Sequence, residues 1–193
     1  MTTGDSEAVL EFWFGRPGDP GYGGHRDEWF RRSDAFDAEI RDRFGALHAR
    51  AAAGELDDWI ETPRGALALV ILLDQFSRNL RRDSAAAFAN DAKALELAKA
   101  AIDRGHDRAV EPVQRHFFYL PFEHSETLAE QERGVTLIEA MPPHDSKTES
   151  VQYALRHRDV IARFGRFPHR NGVLGRQSTD EERAFLAEHE KGF

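Results

Sequence analysis

The chain has 193 residues, with 26 Lys and Arg against 34 Asp and Glu for a net charge of −8, and no cysteine. This length fits one domain, residues 1–193, that buries about two-thirds of its unfolded surface. The lack of cysteine excludes disulfides, thiolate nucleophiles and cysteine-containing zinc or iron–sulfur sites. The acidic balance argues against a nucleic-acid partner, which calls for a basic face. The longest unbroken apolar run, residues 66–73, falls far short of the about 20 residues that a bilayer requires. Acidic Asp5, Glu7 and Glu11 without a basic leader argue against a signal peptide. A cytoplasmic protein with no membrane partner is expected.

In chain order, Ser6 reads as the cap of a short helix carrying Val9, Leu10, Trp13 and Phe14 at helical spacing. Five glycines and two prolines in residues 15–24 predict a surface loop. Phe36, Ile40, Phe44 and Leu47 mark a long helix over about 34–53, ended by Gly54. Thr62 followed by Pro63 is a helix start, because the proline lacks only an N–H that the first turn leaves unpaired anyway. The helix that follows, to about Leu80, is apolar nearly all round at residues 66–73 and should be the core helix. Asp83 or Ser84 reads as the cap of an alanine-rich helix closing at Gly105. Pro112 opens the next helix, and Pro121 is expected to interrupt it by removing a donor to the carbonyl of Phe117.

Further on, a helix is expected from about Ser125 to Met141, a linker over residues 142–146, and a helix from about Thr148 to Phe164 that ends at Gly165. Ser178 or Thr179, each with a glutamate three residues later, makes a capping box for a last helix. Seven to eight helices without a convincing run of alternating β-branched residues give an all-α fold. Periodicity leaves open whether they form a bundle or stacked antiparallel hairpins.

Three runs concentrate the chemistry. The first, LDQFSRNLRR at residues 73–82, puts Asp74, Gln75 and Arg78 on neighbouring turns at the end of the core helix, where buried charges demand partners. The second, YLPFEHSE at 119–126, offers Glu123, His124 and Glu126, which with the distant His157 are candidates for proton transfer. Helix-start electrostatics is the plainer account of the two glutamates. The third is a basic island: residues 156–176 hold six arginines against one acid, Asp159, in a chain of opposite sign.

Planar guanidinium forks suit carboxylate or phosphate, so Arg166, Arg170, His169 and Asn171, together with Asp74, Gln75 and Arg78, are the candidate ligand-binding residues. Arg166 and Arg170 are expected to meet Glu123 or Glu126. The histidines follow no metal-ligand spacing, so neither a bound metal nor a cofactor is expected.

The runs LDQFSRN (73–79), YLPFEHSE (119–126) and RFGRFPHRN (163–171), in that order and followed by LGR and STDEE, closely resemble the bacterial domain-of-unknown-function family 924 over essentially the whole chain. The resemblance implies stacked antiparallel helical hairpins similar to tetratricopeptide-repeat proteins. It implies no activity, cofactor or catalytic residue. Ser77 stands where that family usually has proline, which leaves the core helix free to continue. Two functional classes follow: a pocket that binds a small anionic molecule, with or without acting on it, or an interaction module whose helical groove holds a peptide or protein segment. Three runs that line one concave pocket would favour the first, and three runs that bury into separate salt bridges would count against it.

Overall fold

The computed structural model describes residues 3–144 and 146–189; Asp145 of the expected linker and the last four residues lie outside them. Among the described residues the chain is all-α, with eight helices and no strand. Helix α1 spans Thr3–Phe14 and α2 Asp34–Ala52. Helix α3 covers residues 63–80 and changes to a π-helical turn at Leu72–Phe76. The rest are α4 Asp91–Asp103, α5 Pro112–Glu123, α6 Leu128–Glu139, α7 Lys147–Phe164 and α8 Asp180–Glu188.

Local chemistry explains most boundaries. Ser33 accepts the Phe36 amide at the start of α2, and Thr62 accepts the Gly65 amide beside Pro63 at the start of α3. Gly165 ends α7 at φ +67°, a conformation that glycine adopts without a Cβ penalty. Thr179 and Glu182 complete a reciprocal capping box on α8.

Three boundaries differ from expectation. Helix α1 begins at Thr3, so Ser6 lies inside it. The stretch after Ser84 forms only a 3-10 turn, Ala85–Phe88, and the alanine-rich helix starts at Asp91. Pro121 sits within α5 without breaking it, because the helix ends at Glu123, so the missing donor costs little more than one backbone hydrogen bond.

The middle of α3 is the core: residues 66–73 are all buried, as their uninterrupted apolar run predicts. Helices α1, α4 and α5 pack on it, and α2 packs on its π-helical turn and last segment. From α4 onward each helix packs on the next, through α5 and α6 to α7. Gly134 permits the close approach of α6 to α5, since a Cβ there would lie 2.9 Å from the Cβ of Phe122. A smaller apolar cluster of Val160, Ile161, Phe167 and Phe185 anchors the C-terminal segment separately from the main core.

Candidate functional site

The π-helical turn of α3 sets the geometry. A π turn widens the helix locally, and such turns recur at functional sites. Here it carries Asp74 and Gln75 directly out of the apolar core. Asp74 is 1% exposed. Its Oδ1 lies 2.6 Å from Nδ1 of His124 and 3.2 Å from Nη1 of Arg78, and its Oδ2 accepts a 2.6 Å hydrogen bond from Gln75. Burial alone would raise this carboxyl, but Arg78 and His124 outweigh it, and Asp74 is held well below the usual carboxylate range.

From Asp74 the ion pairs run on through the protein. The fork of Arg78 grips Asp91 at 2.9 and 3.1 Å, and Asp91 in turn accepts Nη1 of Arg170 at 3.3 Å. His124, Asp74, Arg78, Asp91 and Arg170 therefore form one continuous polar chain. It draws on α3, α4, the end of α5 and the loop after α7. Asp91 is the link that sequence reasoning missed.

Arg170 closes the chain unusually. It is 6% exposed, and its guanidinium carbon lies 4.5 Å from the ring centroids of both Phe88 and Phe167. Its Nε is buried with no hydrogen-bond partner among the described residues. Burial pulls this guanidinium down to about 10, with Arg78 acting in the same direction against Asp91.

A second group lies alongside. Glu123, 3% exposed, has Nε2 of His116 at 3.3 Å and Nδ1 of His157 at 3.9 Å. His157 is only partly buried; Nδ1 also lies 2.9 Å from the Tyr153 carbonyl, and the ring meets Phe167 edge-on at 5.6 Å. Gln131 donates 2.7 Å hydrogen bonds to the carbonyls of Glu123 and Ser125, pinning the turn after α5 that presents His124. The His169 ring is 5.5 Å from Phe167. His169 is exposed by surface area, yet desolvation by its neighbours and the charge of Arg170 lower it below its ordinary value, and His157 and His124 add to this. His157 is lowered by burial, against Glu123, with His124 and Arg170 also acting on it.

Arg166, Asn171 and Glu126 fall outside this chain. Arg166 forks onto Glu182 at 2.6 and 2.8 Å, and Asn171 donates to Glu182 and to Ser178. Glu126 is taken by the fork of Arg176 at 2.6 and 2.9 Å and by the Phe167 amide at 2.8 Å. The expected pairing of Arg166 and Arg170 with Glu123 or Glu126 is therefore corrected. The reason is local: the left-handed Gly165 and the 3-10 turn Pro168–Arg170 send Arg166 towards α8 and Arg170 towards α4. Arg176, in the same basic island, supplies the fork for Glu126.

Other polar features are accounted for separately. Ser77 is fully buried; it donates to the Leu73 carbonyl at 2.6 Å and lies 2.9 Å from Nε2 of His48. An open cleft of about 280 Å³ lies at the start of α2, lined by Arg32, Asp37, Arg41 and Arg82 among others. Asp37 there is already gripped by Arg82 and Asn79. Among the described residues no group of three His, Asp or Glu side chains is arranged to hold a metal ion, and no helix is long and apolar enough to cross a membrane.

No curated protein matches this chain. A solved structure of a protein of unknown function from Agrobacterium tumefaciens is similar over 97% of this chain and 99% of that one, with 42% identity and a TM-score of 0.87. A family model described as bacterial protein of unknown function (DUF924) matches residues 9–190, covering every member of the polar chain, and the protein belongs to that family.

Proposed function

We propose that the place where the three runs converge binds a small anionic molecule through Arg170. The observation that carries this reading is the unmet hydrogen-bonding capacity of a buried guanidinium. Arg170 has five N–H donors, yet among the described residues its one side-chain hydrogen bond is the 3.3 Å contact to Asp91, and its Nε has none. Asp91 is already held by Arg78 with shorter bonds, so Arg170 is its secondary partner. Leaving charged donors unmet in a buried place is costly, and an oxyanion removes that cost. The rings of Phe88 and Phe167 exclude water from the guanidinium faces, so bonds to an incoming carboxylate or phosphate form in a medium of low polarity.

The test is thermal unfolding with inorganic phosphate, sulfate and small carboxylates. A ligand at 100 times its dissociation constant adds about 2.7 kcal/mol of stability. Arg170→Lys keeps the charge but loses the planar fork. We expect the parent to be stabilised by at least one of these anions, and Arg170→Lys to lose that response while its urea stability stays within about 1 kcal/mol of the parent. No response in the parent, or an equal response in the variant, overturns the reading.

A further inference from the structure

We infer that the anion held at Arg170 is a small monocarboxylate, gripped in plane by the Nε and Nη2 donors of the guanidinium. The inference rests on the anion reading above and deepens it by naming the ligand class. Arg170 directs Nη1 to Asp91, and among the described residues neither Nε nor Nη2 has an acceptor. These two donors are neighbours: Nε–H and one Nη2–H lie side by side in the guanidinium plane and point the same way. Their spacing matches the two oxygens of one carboxylate, which accepts both hydrogen bonds at once.

The protein uses this edge of arginine repeatedly. Arg64 holds Glu7, Arg82 holds Asp37 and Arg166 holds Glu182, each through Nε and Nη2. In all three the occupant is a carboxylate. Arg170 presents the same edge without a side chain in it, and in a more closed place: its side chain is 7% exposed, against 28–41% for the other three.

Charge and the number of oxygens separate a carboxylate from a tetrahedral oxyanion. Around Arg170 the ion pairs already balance, with the guanidiniums of Arg78 and Arg170 set against the carboxylates of Asp74 and Asp91. A monocarboxylate adds one negative charge beside Asp91, and the vacant edge meets both of its oxygens. Sulfate adds two charges and has four oxygens, so two remain without a donor from that edge. Phe88 and Phe167 lie against the guanidinium, each ring centroid 4.5 Å from its carbon, and offer such oxygens no ordinary hydrogen bond. Leaving one buried acceptor unmet corresponds to a loss in affinity of about tenfold or more.

Proton–nitrogen spectra of the arginine-labelled full chain read the edge directly, through the Nε–H resonance of Arg170 assigned by its bonded backbone. Titration with acetate should move this resonance saturably. Sulfate at matched ionic strength should need at least about ten times the concentration for half the shift. The Nε–H resonance of Arg166, whose edge Glu182 fills, should stay in place. Half-saturation by sulfate below that ratio overturns the carboxylate inference and leaves anion binding standing. A shift with N-acetylglycine but not with acetate assigns the edge to a peptide C-terminus and overturns the small acid. A shift at Arg166 equal to that at Arg170 marks a general salt effect and, like the absence of a saturable shift with any anion, sinks the inference and the anion reading together.

Discussion

Two arginine–carboxylate assemblies share two short stretches of sequence, with His124 near Glu126 and Arg170 between Arg166 and Arg176, and differ in how fully they are paired. In the clamp around α8, Glu182 is 2% exposed and receives the fork of Arg166, the Thr179 amide and Asn171. Those hydrogen bonds, led by that from Arg166, hold its carboxyl well below the usual range. Glu126 beside it receives the whole fork of Arg176 and the Phe167 amide. Every carboxylate oxygen in that clamp has a donor. The chain from His124 to Arg170 instead ends on a buried guanidinium nitrogen with no acceptor among the described residues. Saturated pairing is what fixing a C-terminal segment requires. Unsaturated pairing in an equally buried place is the feature on which the proposed anion binding rests.

The largest expected effect separates the two assemblies by their dependence on a single carboxylate. Asp74 accepts from Gln75 and contacts His124 and Arg78, with its own carboxylate closed to solvent. Asp74→Ala strands His124 and Gln75 and leaves Arg78 with Asp91 and the residue-74 carbonyl, and breaking such a buried pair costs about 3–5 kcal/mol. Urea denaturation measures it. A loss below about 1 kcal/mol would mean that water replaces the carboxylate and that the chain is not sealed, which removes the basis of the comparison.

The elements were largely legible in the sequence because breakers and caps write them locally: Thr62 with Pro63, Gly165, and Thr179 with Glu182 all stand where they were read. The three polar runs were legible as chemistry because they interrupt apolar helices, and Asp74, Gln75, Arg78, His124 and Arg170 do come together. Asp91 was not. In sequence it is an acid in an alanine-rich stretch whose helix start was placed at residue 83 or 84, and only the 3-10 turn at Ala85–Phe88 moves that start to Asp91. The partners of Arg166, Arg170 and Arg176 were not legible either. Three arginines in one loop look alike in one dimension, and the loop's two turns decide which carboxylate each one reaches. Phe88 gave no signal at all as a wall for Arg170.

A second, smaller effect tests the saturated side. The Thr179 hydroxyl accepts the Glu182 amide, while Glu182 returns a bond to the Thr179 amide. Thr179→Ala removes half of this box and should cost about 1 kcal/mol. Because the clamp is structural, the loss should appear in urea unfolding while the thermal response to phosphate is unchanged. A variant that loses the anion response would show that the clamp and the polar chain act as one unit.

The smallest expected effect is at Glu126, and its sign follows from linkage. Burial would raise this carboxyl, but Arg176 and the Phe167 amide outweigh it, so its folded value lies below the ordinary 4.5. A carboxyl depressed by folding contributes stability above its unfolded value and loses that contribution as pH falls through its folded value. Glu126→Gln should therefore cost under about 1 kcal/mol near neutral pH, since the Glu126–Arg176 pair is about a quarter exposed and solvent screens it. The difference between parent and variant should shrink as pH drops below about 4.5, the unfolded carboxyl value. The same difference for Asp74→Asn should persist to lower pH, because Asp74 is closed to solvent and is itself held well below the usual carboxylate range. Urea unfolding at a series of pH values reads both differences directly. If the two close together, Asp74 and Glu126 are equally well served by donors, and the contrast between saturated and unsaturated pairing belongs to Arg170 alone.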